Sequence, residues 1–451
     1  MATADTPTGL RHNPNWQKLW FGQAVSLIGD FVFNTTVVLW VATVIAAGQS
    51  WAPAAVGGVL IAAAAPILLV GPVAGVYVDR WDRRRIMLAT DLLRAAFIAV
   101  LLVVPLFGTA WPVGLQLTLV YAMVALASAA SQFFNPARFA ILAATIPPAD
   151  RARAFGLTSA TASTTAVVGP PLAAPLLFSV GVQWALLVNV ASFLASYAAV
   201  RLVKVAPEAS RMGADKPGFW PELREGLRFF LGNRVLVVLV AAVCVYMFAA
   251  GAINVLDVFF VSENLHADPS WLGTLNAAFG VGSIVGALLA SRLAARLGEA
   301  RVFGFGIALM GVVVAVYSRT TSLPVAIVVL ALAGVPLAVV NVMLGPLVLR
   351  ATPQALLGRV NAVMNPTVYL ASILSMAVAG FLASTALHDL HATVGGMTFG
   401  RIDTVFGISA ILMIVAGLAS LRPLGSRQRE AAASPAPASA PAATPAAEPA
   451  S

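Results

Sequence analysis

The stretch Gly75 to Met87 reads GVYVDRWDRRRIM and puts six charged side chains into the seven positions Asp79 to Arg85, in a chain that is 60% hydrophobic and only 10% charged. Apolar runs flank it at about 53–78 and 86–107. Each is long enough to cross a bilayer, whose hydrocarbon core takes roughly 20 residues of helix. Charge at that density between two such runs belongs at a membrane surface, where the side chains keep their hydration. The stretch is therefore predicted to be a short turn joining two crossings.

The same alternation continues in both directions. Apolar runs broken by Gly, Pro or charge predict twelve membrane helices, at about 18–47, 53–78, 86–107, 114–136, 155–179, 183–204, 234–262, 270–296, 302–318, 323–349, 361–385 and 404–421. The mean hydropathy of +0.90 agrees, since soluble chains carry about a quarter charged residues. Residues 1–15 are polar and the first apolar run is too long for a removable signal, so that run is expected to stay in the membrane. The single cysteine, Cys244, lies in an apolar run and offers no internal disulfide.

Basic residues are unevenly placed. Of 27 Lys and Arg, 24 fall in the termini and the loops after even-numbered spans, Arg319 and Arg401 fall on the opposite side, and Arg94 lies inside span three. The positive-inside rule then puts both termini in the cytoplasm, and an even span count requires them to share a side. The expected location is the plasma (inner) membrane, as a multi-pass protein. The net charge of +9 reflects this topology and attraction to lipid headgroups, not a nucleic-acid surface.

A polar segment at 205–233 separates spans six and seven. Its WPELREGLRFFLG sets Trp220, Leu223, Leu227 and Phe230 at helical spacing, with Glu222, Arg224, Glu225 and Arg228 elsewhere, and predicts an interfacial amphipathic helix. The chain thus divides into a cytoplasmic N-terminal segment (1–17), a six-helix bundle (18–204), the linker (205–233), a second six-helix bundle (234–421) and a tail (422–451). The tail's Ala, Pro and Ser run cannot bury a core and predicts disorder.

The two halves echo each other. Laying Asn13 on Asn233 brings Asn34 over Asn254, and FFNPAR with Asn135 matches VVNVML with Asn341. Pro147 and Arg153 recur as Pro353 and Arg359, and GVYVDR lies over ALLASR, Ala287 to Arg292. Two parallel six-helix repeats follow, with a central site between them. The expected fold is an all-α membrane protein of twelve helices in two pseudo-symmetric bundles.

These residues resemble the major facilitator superfamily of transporters over nearly everything from Asn13 to Arg422. The family's loop between spans two and three has the form Gly-x-x-x-Asp-Arg-x-x-Arg-Arg, met here by Gly75, Asp79, Arg80, Arg83 and Arg84. NPNWQKLWFGQAVSLIGD, DLLRA, FNPAR and ELREGLRF are similar to the drug-efflux branch that includes macrolide exporters and the enterobactin exporter. The resemblance implies that Gly75 allows close helix approach, while Asp79 and Arg80 form an inter-bundle latch holding an outward-facing state. The antiporter pattern of span five is met by Gly156, Gly169 and Pro170, with Thr165, Ala173 and Ala174 standing where the family has glycine. Many proton-coupled exporters of the family carry an arginine within span four, whereas LQLTLVYAMVALASAASQFF has no basic residue.

Several polar residues lie within the predicted spans. Asp30 is expensive in hydrocarbon unless it faces a cavity or takes up a proton, so it is the first candidate for proton coupling or cation recognition. Asp257 is the second, with Asn254 one turn before it; with Asn34 these four are expected to look into a central cavity. Asp91 and Arg94 stand i,i+3 in span three and predict a structural charge pair. Asn135 and Asn341 are expected to bond across helices, and Arg83 to Arg85 to meet anionic headgroups.

Enzyme chemistry finds no support. A phosphate loop is absent, and GVGSIVG lies inside span eight, where Gly282-x-x-x-Gly286 reads as helix packing. His388, Asp389 and His391 read as a solvated loop, so no metal is expected. The resemblance implies a proton-driven antiporter that exports amphipathic small molecules (drug, macrolide or siderophore-like) by alternating access. It needs no cofactor and works as a monomer, with a small-molecule substrate and membrane lipids as partners. A uniporter or importer of a lipid-like or metabolite solute is the alternative; a non-transporting sensor or scaffold is a third.

Overall fold

The computed structural model describes residues 10, 13–203, 219–353, 356–388, 390, 392–394 and 397–433. The first half is built from α1 (Pro14–Trp40), α2 (Ala52–Leu69), α3 (Gly71–Arg80), α4 (Arg83–Leu101), α5 (Val103–Phe107), α6 (Val113–Thr145), α7 (Pro148–Pro175) and α8 (Val182–Arg201). Then come α9 (Phe219–Gly232) and the second half: α10 (Arg234–Glu263), α11 (Leu272–Leu297), α12 (Glu299–Ser318), α13 (Leu323–Ala351), α14 (Leu357–Ser384) and α15 (Arg401–Ala433). Twelve stretches of this helical set are long and apolar enough to cross a membrane, in the places predicted. Span two is broken at Val70, because Gly71 and Pro72 interrupt its hydrogen bonding and start α3 afresh.

The duplication is built into the helix starts. The Asn13 side-chain oxygen accepts from the backbone of Asn15 and Trp16, and its amide donates to the Thr145 carbonyl at the end of span four. Asn233 repeats this on Val235 and Leu236 and donates to the Ala351 carbonyl at the end of span ten. One residue type thus caps a helix and pins it to the same neighbour in each half.

Between the halves, α2 packs on α14 and α7 on α11. Close contacts between them lie at the outer end, away from the chain termini. The Ala54 amide donates to Ser384 Oγ at 3.1 Å, and a side chain at Gly273 would strike the Pro170 carbonyl at the top of α7. At the terminus-bearing end, side chains added at Gly75, Gly156 and Gly358 would meet nothing within 4 Å. The bundles are therefore closed outside and parted on the arginine-rich side. Gly75 does not serve a close helix approach in this conformation, contrary to expectation. Gly169 does, since Phe31 of α1 fills the space where its side chain would stand. Gly282 and Gly286 lie against the Ala331 and Val335 backbone of α13, as helix packing requires.

The opening stretch now has parts. Asp82 caps α4, accepting from the Arg84 and Arg85 amides. Arg84 donates to the Val200 and Arg201 carbonyls and closes the end of span six. Arg83 is 9% exposed. Only Arg85 of the three stands in solvent or headgroups, with its side chain 88% exposed, which corrects the expectation that all three do. The Asp79 side chain lies outside the described ones.

Other differences have local causes. The two arginines on the outer side are both paired, Arg401 with Glu263 and Arg319 with Asp403 at 3.7 Å, so neither leaves a free charge against the bias. The amphipathic α9 packs on α14, with Arg359 bonded to Glu225 at 2.7 Å and Phe230 buried. Its Leu227 and Leu231 stay exposed, as an interfacial face would. Linker residues 204–218 lie outside the described ones. The last helix runs to Ala433, so residues 422–433 are helical where disorder was expected; 434–451 lie outside the described residues. The outer loop before α15 carries a short antiparallel strand pair, Ala392–Val394 with Met397–Phe399.

Candidate functional site

A cavity of about 730 Å³ lies between the halves at mid-membrane depth. Phe31 and Thr35 of α1 and Ser163, Thr164 and Pro170 of α7 form one wall; Asn276, Phe279 and Ser283 of α11 and Leu337 and Asn341 of α13 form the other. Small residues on α7 and α11 make the space, and Gly273 against Pro170 closes its outer end. Mostly apolar walls with a few amide and hydroxyl groups suit an amphipathic guest.

Asp30 stands one residue before the cavity-lining Phe31 and turns toward a buried cluster. Its carboxylate is 4.0 Å from Arg94 Nη1. The Arg94 guanidinium donates to Asp91 at 2.5 Å, and Asp91 also accepts from Ser196 Oγ of α8 at 2.8 Å. The guanidinium sits between the Phe134 and Phe193 rings, at 4.5 and 4.3 Å. Asp91 is fully buried and Arg94 nearly so, while the Asp30 side chain is 35% exposed. Two carboxylates thus share one cation, and only Asp30 is reachable. The expected Asp91–Arg94 pair exists, yet it is part of one cluster with Asp30 that joins spans one, three, four and six.

Arg138 modifies a second expectation. The helix of span four continues past residue 136 to Thr145, and the apolar span itself reaches Leu142. Arg138 therefore lies inside it, donating to Gln23 of α1 at 2.9 Å and resting on Phe139. The expected span stopped at residue 136; the helix runs on with Pro136 in its interior, although proline lacks the donor used there.

The other candidates disperse. Asp257 accepts from the Tyr317 hydroxyl of α12 at 2.8 Å, beside the packed rings of Phe260, Tyr317 and Phe406. It faces spans nine and twelve and not the cavity, which corrects the expectation of an inward-facing quartet. Asn34 and Asn254 are exposed and do not line the cavity. Asn341 lines it, where a cross-helix bond was expected, and Asn135 is exposed. Asn276, Phe31 and Phe279 were missed. An asparagine early in span eight was the one available signal. His388 is described, while Asp389 and His391 lie outside the described residues; among those described no group of metal-ligating side chains forms.

Comparison with known proteins agrees with this architecture. The family model for transmembrane secretion effectors matches residues 7–436. Macrolide efflux protein A of Streptococcus pyogenes is 27% identical over 280 residues, 61% of this chain; the match spans 66% of that relative's own length, just under two thirds. Multidrug efflux pump Tap of Mycolicibacterium fortuitum is 25% identical over 367 residues, covering 79% of this chain and 86% of that one. Among solved structures, a bacterial homologue of the iron transporter ferroportin in an inward-facing state superposes with TM-score 0.70 at 16% identity, over 91% of this chain and 98% of that one.

Proposed function

Because the chain belongs to the transmembrane secretion effector family of major-facilitator transporters, multi-pass membrane proteins and not enzymes, we propose that it is a proton-coupled exporter of amphipathic small molecules. The cavity between the parted bundles carries this reading: it is apolar enough for a drug-like or macrolide-like body, and its asparagines and hydroxyls orient a few polar groups. Efflux relatives support the direction of transport. The arginine-rich face supports cytoplasmic termini in an inner membrane, so the state described is inward-open.

Asp30 is the proton carrier in this mechanism. With Arg94 shared between two carboxylates, protonating the reachable one leaves a neutral Asp91–Arg94 pair, whereas deprotonation sets two carboxylates against that one guanidinium. Each state favours a different packing of spans one, three, four and six. Outward opening then needs the outer seams of α2 with α14 and α7 with α11 to part while the terminus side closes. The protein in proteoliposomes with an imposed proton gradient tests this: Asp30→Asn is expected to abolish gradient-driven flux while leaving substrate binding in place. Full flux in that variant overturns the role of Asp30. Flux whose direction ignores a reversed gradient overturns antiport and favours a uniporter.

A further inference from the structure

A second cavity, of about 820 Å³, lies away from the bundle interface, between α4 and α6 at the terminus-side surface. Its walls are apolar: Ala89 and Leu93 on α4, Leu126 and Ala129 on α6. Thr90 also borders it, but its hydroxyl already donates to the Ile86 carbonyl, so it adds no free polar group. Leu93 and Leu126 are 47% and 43% exposed, so the slot is open and unfilled by the protein's own packing.

Its mouth is different in kind. Arg80, Trp81, Asp82 and Arg85 surround it. The Asp82 carboxylate is committed to capping α4, with its second oxygen 3.7 Å from Arg85 Nε. Among the described lining residues that leaves one acid against two exposed arginines, and these make the mouth positive. Trp81 is 53% exposed and packs on Tyr77 at 4.9 Å, an aromatic pair of the kind that sits at headgroup depth. An apolar slot opening sideways, an interfacial aromatic pair and a positive rim complement one class of ligand.

We propose that this groove seats an anionic phospholipid, one acyl chain between α4 and α6 and the phosphate against Arg80 and Arg85. A soluble anion would leave the apolar walls wet, and a cationic amphiphile would meet the arginines. The site is separate from the central cavity and does not depend on what that cavity transports. It reaches Arg80 of the loop motif, so a bound lipid competes with any bundle contact that Arg80 makes when the terminus side closes.

The delipidated full-length protein in detergent, titrated with dioleoyl phosphatidylglycerol or dioleoyl phosphatidylcholine and read by native mass spectrometry, tests the site. Phosphatidylglycerol is expected to bind about tenfold more tightly than phosphatidylcholine, and Arg80→Gln with Arg85→Gln to remove that preference. Ala89→Phe, which fills the slot without touching charge, is expected to remove the same bound lipid. Wild-type binding by Ala89→Phe means that headgroups gather at the surface with the groove empty, and overturns the proposal. Equal affinity for the two lipids overturns it as well. Arg85→Gln alone changes an exposed side chain and provides a variant whose fold is not at issue.

Discussion

The two halves share a scaffold and differ in chemistry. Asn13 and Asn233 make the same cap and reach the same place on the fourth helix of their repeat, Thr145 and Ala351. Yet the first half buries Asp91 and Arg94 beside Asp30, whereas at the outer end of the second half the Asp257–Tyr317 bond is set among aromatic rings. Duplication supplied the framework and the seams between bundles. The buried Asp91–Arg94 pair, with Asp30 4.0 Å from Arg94, lies in the first half, while Asp257 of the second half is held by a single hydroxyl.

Locking the seam common to both halves has the largest expected effect. With Cys244→Ser as background, Ala54→Cys and Ser384→Cys should cross-link under oxidation, hold the outer end closed and stop transport, with recovery on reduction. Transport that survives cross-linking would mean that this seam never opens. Next comes Arg94→Ala, which strands the buried Asp91 carboxylate, takes the cation from Asp30 and should destabilise the first half by about 3–5 kcal/mol, seen as a large fall in thermal midpoint. Asp91→Asn in the same chain should recover part of that loss.

A contrast between the halves follows from the aspartates. Asp30→Asn should lower gradient-driven flux at least about tenfold, and Asp257→Asn should leave it within about twofold, since Asp257 serves a local bond. Equal losses would show that the second half also carries the proton. The capping asparagines should behave alike: Asn13→Ala and Asn233→Ala each cost about 1 kcal/mol, measurable as matching shifts in melting of the purified protein. Tyr317→Phe is the smallest change, about 0.6 kcal/mol, the mean for interhelical hydrogen bonds within a membrane.

Much of the framework was legible in the residues because its causes are local. Twelve apolar lengths, the arginine bias and the paired Asn13 and Asn233 need no knowledge of neighbours. Gly282-x-x-x-Gly286 likewise announced its packing. The site was less legible, since each of its parts depends on a partner far along the chain. Asp30 was singled out by its cost in hydrocarbon, but its pairing with Arg94 crosses between helices, and Asp91–Arg94 looked self-sufficient at i,i+3. Arg138 lay two residues beyond the expected end of span four, whereas the helix carries Pro136 in its interior and continues to Thr145.

The sequence alone determined how many times the chain crosses the membrane, which ends share a side and that the halves are repeats. Hydropathy, span length and capping act within a few residues of their source. Only the tertiary structure decided which face each helix turns inward. Apolar faces are interchangeable in lipid, so close packing of small residues and a few long-range polar bonds set the rotation. That rotation put Asn276 and Asn341 on the cavity wall, turned Asp257 toward Tyr317, and gave the arginines after GVYVDR three different tasks: Arg83 buried, Arg84 closing span six, and Arg85 exposed at the surface beside Asp82.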